Sequence, residues 1–187
     1  MEEKEYMSAI WGAIQLNREK ISPSLLEKME KPFHEYKIDR YEQFTDSSVL
    51  MGCGIQYFNK ESVIEQLPVM KDNIYFDADV VLDNRKELLG KLHITDENAD
   101  SLSDGEILFR MIRKFGDTCL NDILGAYTFV YYDINDGKVQ LVCDAVGNRT
   151  LYYKVKDNIL YYSSLLEGIN AVCTSELNDE WFVDFFK

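Results

Sequence analysis

With 187 residues, 46% of them hydrophobic, the chain has the length of one domain and enough apolar side chains to bury a core. Its 33 acidic against 20 basic side chains leave a formal charge of −13, which repels phosphate backbones and anionic lipid headgroups and argues against nucleic acid or membrane as a partner. No apolar run is long enough to cross a bilayer, and the start Met1-Glu-Glu-Lys-Glu-Tyr6 lacks the basic and apolar regions of a signal peptide, so the expected location is cytoplasmic.

Met7 to Leu16 alternates small and apolar residues and predicts a strand, with Gly12 where a neighbouring backbone comes close. Ser22-Pro23 is the pattern of an N-cap followed by proline at the first helical position, opening a helix through Leu25, Leu26 and Met29 that Pro32 ends. Residues 33–48 are polar with scattered aromatics and yield no assignment. Val49 to Phe58 and Ile74 to Leu82 have strand composition, and Asn84 to Gly90 predicts a short capped helix. Residues 93–102 form a polar loop.

The clearest helix follows. Ser103 can cap it, with Glu106 reaching back to close a capping box, and Ile107, Leu108, Met111, Ile112 and Phe115 fall on one face before Gly116. A further turn through Leu120, Ile123 and Leu124 leads to a strand over Ala126 to Ile134. Asn135-Asp136-Gly137 turns the chain into a partner strand, Lys138 to Cys143. Leu151 to Val155 and Ile159 to Tyr162 flank Lys156-Asp157-Asn158 as a second hairpin, and Ser163 to Val172 predicts a short helix or turn. Trp181, Phe182, Val183, Phe185 and Phe186 make an apolar tail that packs internally, meets a second domain or forms a dimer contact. Strands at both ends with helices between them predict an α+β domain of antiparallel sheets covered by helices. Cys53, Cys119, Cys143 and Cys173 are widely spaced and accompanied only by His34 and His93, so reduced packing cysteines are expected and no metal site or cofactor.

Four motifs in order carry a family resemblance. They are Met7-Ser-Ala-Ile-Trp-Gly12, Asp79-Val-Val-Leu-Asp-Asn84-Arg-Lys-Glu-Leu88, Ser103-Asp104-x-Glu106 with its helix and the Gly125 strand, and Asp144-x-x-Gly147-x-x-x-Leu151-Tyr-Tyr. Together they resemble the glutaminase domain of asparagine synthetase and its relatives, class II amidotransferases of the N-terminal-nucleophile hydrolase type, over residues 7 to 186. The resemblance implies a four-layer αββα sandwich, two antiparallel sheets between helical layers, as a single domain over residues 1–187 with residues 1–7 as an N-terminal extension.

Active members of that family expose an N-terminal Cys whose thiol is nucleophile and whose α-amine is base, and hold glutamine with an Arg, an Asn-Gly pair and an Asp. Here Ser8 stands in the place of the Cys, with its nitrogen tied up in the peptide bond to Met7. Gly54 falls near the place of the clamping Arg. Asp79-Val80 replaces Asn-Gly, and a carboxylate that only accepts does not stabilise an oxyanion as an amide does. Val81 replaces the neighbouring Glu. Asp104 survives, and a carboxylate in the first turn of a helix is also favoured by the helix dipole. On this reading Ser8, Asp79 and Val80 are vestigial catalytic positions, Gly54 and Asp104 vestigial substrate positions, no catalytic residue is expected, and glutamine does not bind a cleft that Val80 and Val81 partly fill.

Non-hydrolysing glutaminase-like domains also resemble this pattern in β-lactam synthetase and the lasso-peptide cyclases, where a C-terminal domain forms an amide with ATP. No Ser-Gly-Gly-x-Asp-Ser pyrophosphate loop occurs in these 187 residues. The expectation is therefore a catalytically inactive scaffold or recognition domain, whose partner is such an ATP-dependent synthetase domain or a separate protein, with a homodimer as a further arrangement. Two alternatives stand beside it: a glutamine amidohydrolase activated by leader removal to expose Ser8, and a stand-alone protein-interaction module.

Overall fold

In the computed structural model, which describes residue 5 and residues 7–95 and 99–173, both faces of strand β1 (Ala9–Gln15) are buried. That is why its sequence up to Gln15 is apolar rather than alternating with polar residues. Around β1 lie β2 (Arg40–Thr45), β3 (Val49–Ile55), β8 (Tyr152–Lys156) and β9 (Ile159–Ser163), in the order β2-β3-β1-β9-β8 and antiparallel at every step. The second sheet runs β4 (Val69–Lys71), β5 (Ile74–Leu82), β6 (Gly125–Asp133), β7 (Lys138–Cys143), also antiparallel. The helices are α1 (Ser24–Glu30), α2 (Lys60–Val63), α3 (Arg85–Leu92), α4 (Asp104–Phe115) and α5 (Leu166–Asn170).

Side-chain alternation assigns the layers. Ala9, Trp11 and Ala13 face outward and pack with Leu26, Met29, Phe33 and Ile169, the Trp11 ring stacking on Phe33 at 4.6 Å. Ile10 and Ile14 face the second sheet. Across that gap the Tyr162 hydroxyl donates to Asp77 at 3.1 Å and the Phe44 ring meets Tyr75 edge-on at 5.5 Å. The far side of the second sheet is covered by α4, whose Phe109 packs on Phe76 at 5.2 Å. The result is the expected sandwich, helices outside two antiparallel sheets. Gly12 is required by it, because a Cβ there would sit 2.3 Å from the Leu50 carbonyl oxygen and 2.5 Å from the Tyr162 hydroxyl.

Local details depart from the sequence reading where tertiary contacts take over. Helix α1 starts one residue after Pro23, the Ser22 hydroxyl pairs with Ser24 Oγ at 2.8 Å instead of capping, and Pro32 lies inside a 3₁₀ turn, Lys31–Glu35. The edge strand β2 was hidden by its half-exposed polar sequence. Ser103 does cap α4, accepting the Glu106 N–H at 3.1 Å, but Glu106 turns away to Arg110 at 2.6 Å. The reach-back is unnecessary because Glu65 fills that end, as described below. In the second hairpin only Asp157 and Asn158 turn, at φ of 52° and 59°, the left-handed conformation Asp and Asn tolerate. The apolar tail, residues 181–186, lies outside the described residues.

Candidate functional site

Ser8 immediately precedes β1, next to Ala9, which pairs with Gly54 on β3. Its hydroxyl oxygen accepts the Gln56 N–H at 3.3 Å. Strand β5 brings Asp79 and Val80 to the same place, and the start of α4 adds Asp104. Ser8, Gly54, Asp79, Val80 and Asp104 thus line one small cleft, together with Cys53 and Glu65. The space inside is about 30 Å³, room for roughly one water molecule. Val81 takes no part in the lining.

Gly54 contributes only backbone. A Cβ on it would point to the outer face, 2.8 Å from Ile38 Cδ1 and 3.5 Å from the Trp11 ring, so a side chain at this position could not reach a ligand in the cleft. The β3 side chain on the cleft side is Cys53, 2% exposed, with its thiol directed to the Ala78 carbonyl at 3.8 Å. Burial, reinforced by Asp77, Glu65 and Asp79, holds that thiol well above the usual range, so it stays protonated and is a packing group rather than a nucleophile.

Each carboxylate of the cleft is engaged by the protein itself. Asp104 accepts the Leu82 N–H at 2.9 Å and pairs with the Arg85 guanidinium, which in turn donates to the Leu102 carbonyl at 2.9 Å and lies 3.7 Å from Glu61. Glu65 accepts the Ser103 hydroxyl at 2.7 Å and the N–H groups of Gly105 at 2.9 Å and Gln66 at 3.0 Å, capping α4 from outside the helix. Burial pushes both carboxyls up, and these donors act against that shift. Asp79 lies 3.3 Å from Arg149, yet burial still raises its carboxyl to about 6.

Arg149, Arg85 and Glu65 escaped the sequence reading. Asp79 and Asp104 each have a guanidinium partner, Arg149 and Arg85. The signal for Arg149 was in the Asp144-x-x-Gly147 motif. Buried Asp144 accepts the N–H groups of Val146 at 3.1 Å, Asn148 at 3.0 Å, Arg149 at 3.1 Å and Tyr127 at 3.3 Å, so one carboxylate fixes the loop that presents the arginine. Gly147, at φ 71°, allows that loop to close around it.

The sequence model of the family described as Glutamine amidotransferase domain matches residues 7–187. The chain belongs to that family. Among curated proteins this amidotransferase domain is 25% identical over 114 residues to a putative glutamine-hydrolyzing asparagine synthetase 2 of Methanocaldococcus jannaschii, covering 59% of the chain and 22% of that protein. It is 31% identical over 74 residues to a probable glutamine-hydrolyzing asparagine synthetase of Schizosaccharomyces pombe, covering 38% of the chain and 13% of that protein. The matched parts are thus a small fraction of both relatives. In fold the domain is similar to glutamine phosphoribosylpyrophosphate amidotransferase of B. subtilis, with a TM-score of 0.63 at 16% identity over 88% of this chain and 43% of that one. The architecture is that of N-terminal-nucleophile hydrolases of the class II amidotransferase group.

Proposed function

We propose that this glutamine amidotransferase domain does not hydrolyse glutamine and serves as a scaffold or recognition surface in an asparagine-synthetase-like, ATP-dependent amide-forming enzyme. The observation that carries the reading is the pairing of Asp79 with Arg149 at 3.3 Å, at the position where the family resemblance implies an oxyanion donor. An ionised carboxylate held by its own arginine offers a developing oxyanion a negative charge, not a hydrogen bond. Ser8 adds a hydroxyl without an activating base: its nitrogen is in the Met7–Ser8 peptide, and the Met7 N–H itself donates to the Lys37 carbonyl at 3.2 Å. Cleavage before Ser8 would supply an amine but leave the oxyanion side unchanged. Within the parent enzyme, the chemistry then belongs to a synthetase domain or a separate partner.

A diazoketone analogue of glutamine, which alkylates the nucleophile of a working glutaminase, provides the test. Intact-mass spectrometry after incubation is expected to show the unmodified chain. An adduct mapped to Ser8 would overturn the proposal.

A further inference from the structure

Sharing Ser8, Gln56 and Asp79 with the cleft is a second cavity of about 220 Å³, lined besides by Met7, Asn148, Arg149, Thr150 and Ser164. It is several times larger than the cleft, and its lining is dominated by hydroxyl and amide side chains around one guanidinium. Three features make it a built site. Asp144 pins the loop that carries Arg149 through backbone hydrogen bonds, so the cation is presented by a fixed frame. The Arg149 Nε is buried, and although Asp79 Oδ2 lies 3.3 Å from it, no aligned hydrogen bond reaches it among the described residues. And its charge partner among the described residues, Asp79 at 3.3 Å, is a buried carboxylate that burial raises to about 6 even with the guanidinium beside it.

We propose that this cavity is a seat for a small monocarboxylate, held by Arg149 with Asn148, Thr150 and Ser164 around it, and that Asp79 is the internal counter-ion the incoming carboxylate competes with. A guanidinium fork matches the planar geometry of a carboxylate, which accepts two parallel N–H bonds. Charge selects against phosphate: a dianion would meet Asp79 at close range and the field of a chain carrying −13. The seat does not depend on whether Ser8 is catalytically silent.

Acetate and inorganic phosphate are the probes, titrated into the whole chain and followed by amide chemical shifts. Acetate is expected to shift Asn148, Arg149, Thr150 and Ser164 saturably, with a Kd below about 50 mM, and phosphate more weakly. Asp79→Asn removes the competing charge and should tighten acetate roughly fivefold, whereas Arg149→Gln should abolish saturation. No saturable shift in the wild-type chain overturns the site, and that result does not depend on either variant folding. Phosphate binding more tightly than acetate overturns the monocarboxylate assignment, and an unchanged affinity in Asp79→Asn overturns the role given to Asp79.

Discussion

Asp77 is a carboxyl fully buried between the two sheets of the sandwich. One oxygen accepts the Tyr162 hydroxyl at 3.1 Å, and the other has no hydrogen-bond partner among the described residues. Burial first, then the charges of Asp79 and Glu65, push its carboxyl well above the usual range, against the Tyr162 and Ala78 hydrogen bonds, so the neutral acid is the form that fits. The sign follows. A carboxyl whose folded pKa is raised contributes its stability fully below the unfolded value near about 4, and that contribution is lost as pH rises toward the folded pKa. Asp77→Asn keeps an acceptor for Tyr162 and cannot ionise. Its Tm relative to wild type should therefore rise by about 3 °C or more between pH 5 and pH 8, measured by calorimetry; a pH-independent difference would show that Asp77 does not titrate with folding. Asp144 is the opposite case, a carboxylate that serves as acceptor for four backbone N–H groups. Replacing it with Ala leaves those donors unpaired and should cost about 2 kcal/mol. Hydrogen exchange should then show Val146, Asn148 and Arg149 losing protection before the β6 core does.

At the scale of elements, the strands of the sandwich interior leave no room for a larger side chain at Gly12. Gly12→Ala drives a Cβ onto Leu50 and Tyr162, neither of which yields without moving a paired strand, so a loss of about 2 kcal/mol in urea unfolding is expected. Tolerance of alanine there would mean that β1 and β9 are less tightly packed than described. This position was legible in the sequence, because a glycine inside an otherwise apolar strand marks close approach. So were α4, whose apolar spacing and cap place Ile107, Leu108, Met111 and Ile112 in the core, and the β6–β7 hairpin with Gly137 at φ 70°. What escaped was built by partners distant in sequence. Strand β2 has little apolar pattern of its own and exists because β3 offers it a ladder from Arg40↔Ile55 to Thr45↔Leu50. The end of α4 is completed by Glu65, nearly forty residues upstream, which no local capping rule could name.

Across the whole molecule, three of the four motifs carry Ser8, Asp79, Val80 and Asp104, and the fold brings the residue before β1, the C-terminal half of β5 and the start of α4 together around one cleft. Gly54 shows the limit of that reasoning. Alternation along β3 decides which side chain faces the cleft, and one residue of register exchanges Gly54 for Cys53. The ion pairs of Arg85 and Arg149 were equally invisible, since each arginine reaches its cleft carboxylate from a neighbouring helix or loop whose position only the assembled layers fix. The proposal that this amidotransferase domain does not hydrolyse glutamine rests on a cleft whose carboxylates Asp79 and Asp104 each pair with a guanidinium of the same chain. Ammonia release from millimolar glutamine measures this claim most directly, with Ser8→Ala run alongside the wild-type chain. Identical release at the background rate is predicted for both, whereas release by the wild type that Ser8→Ala abolishes would contradict the account.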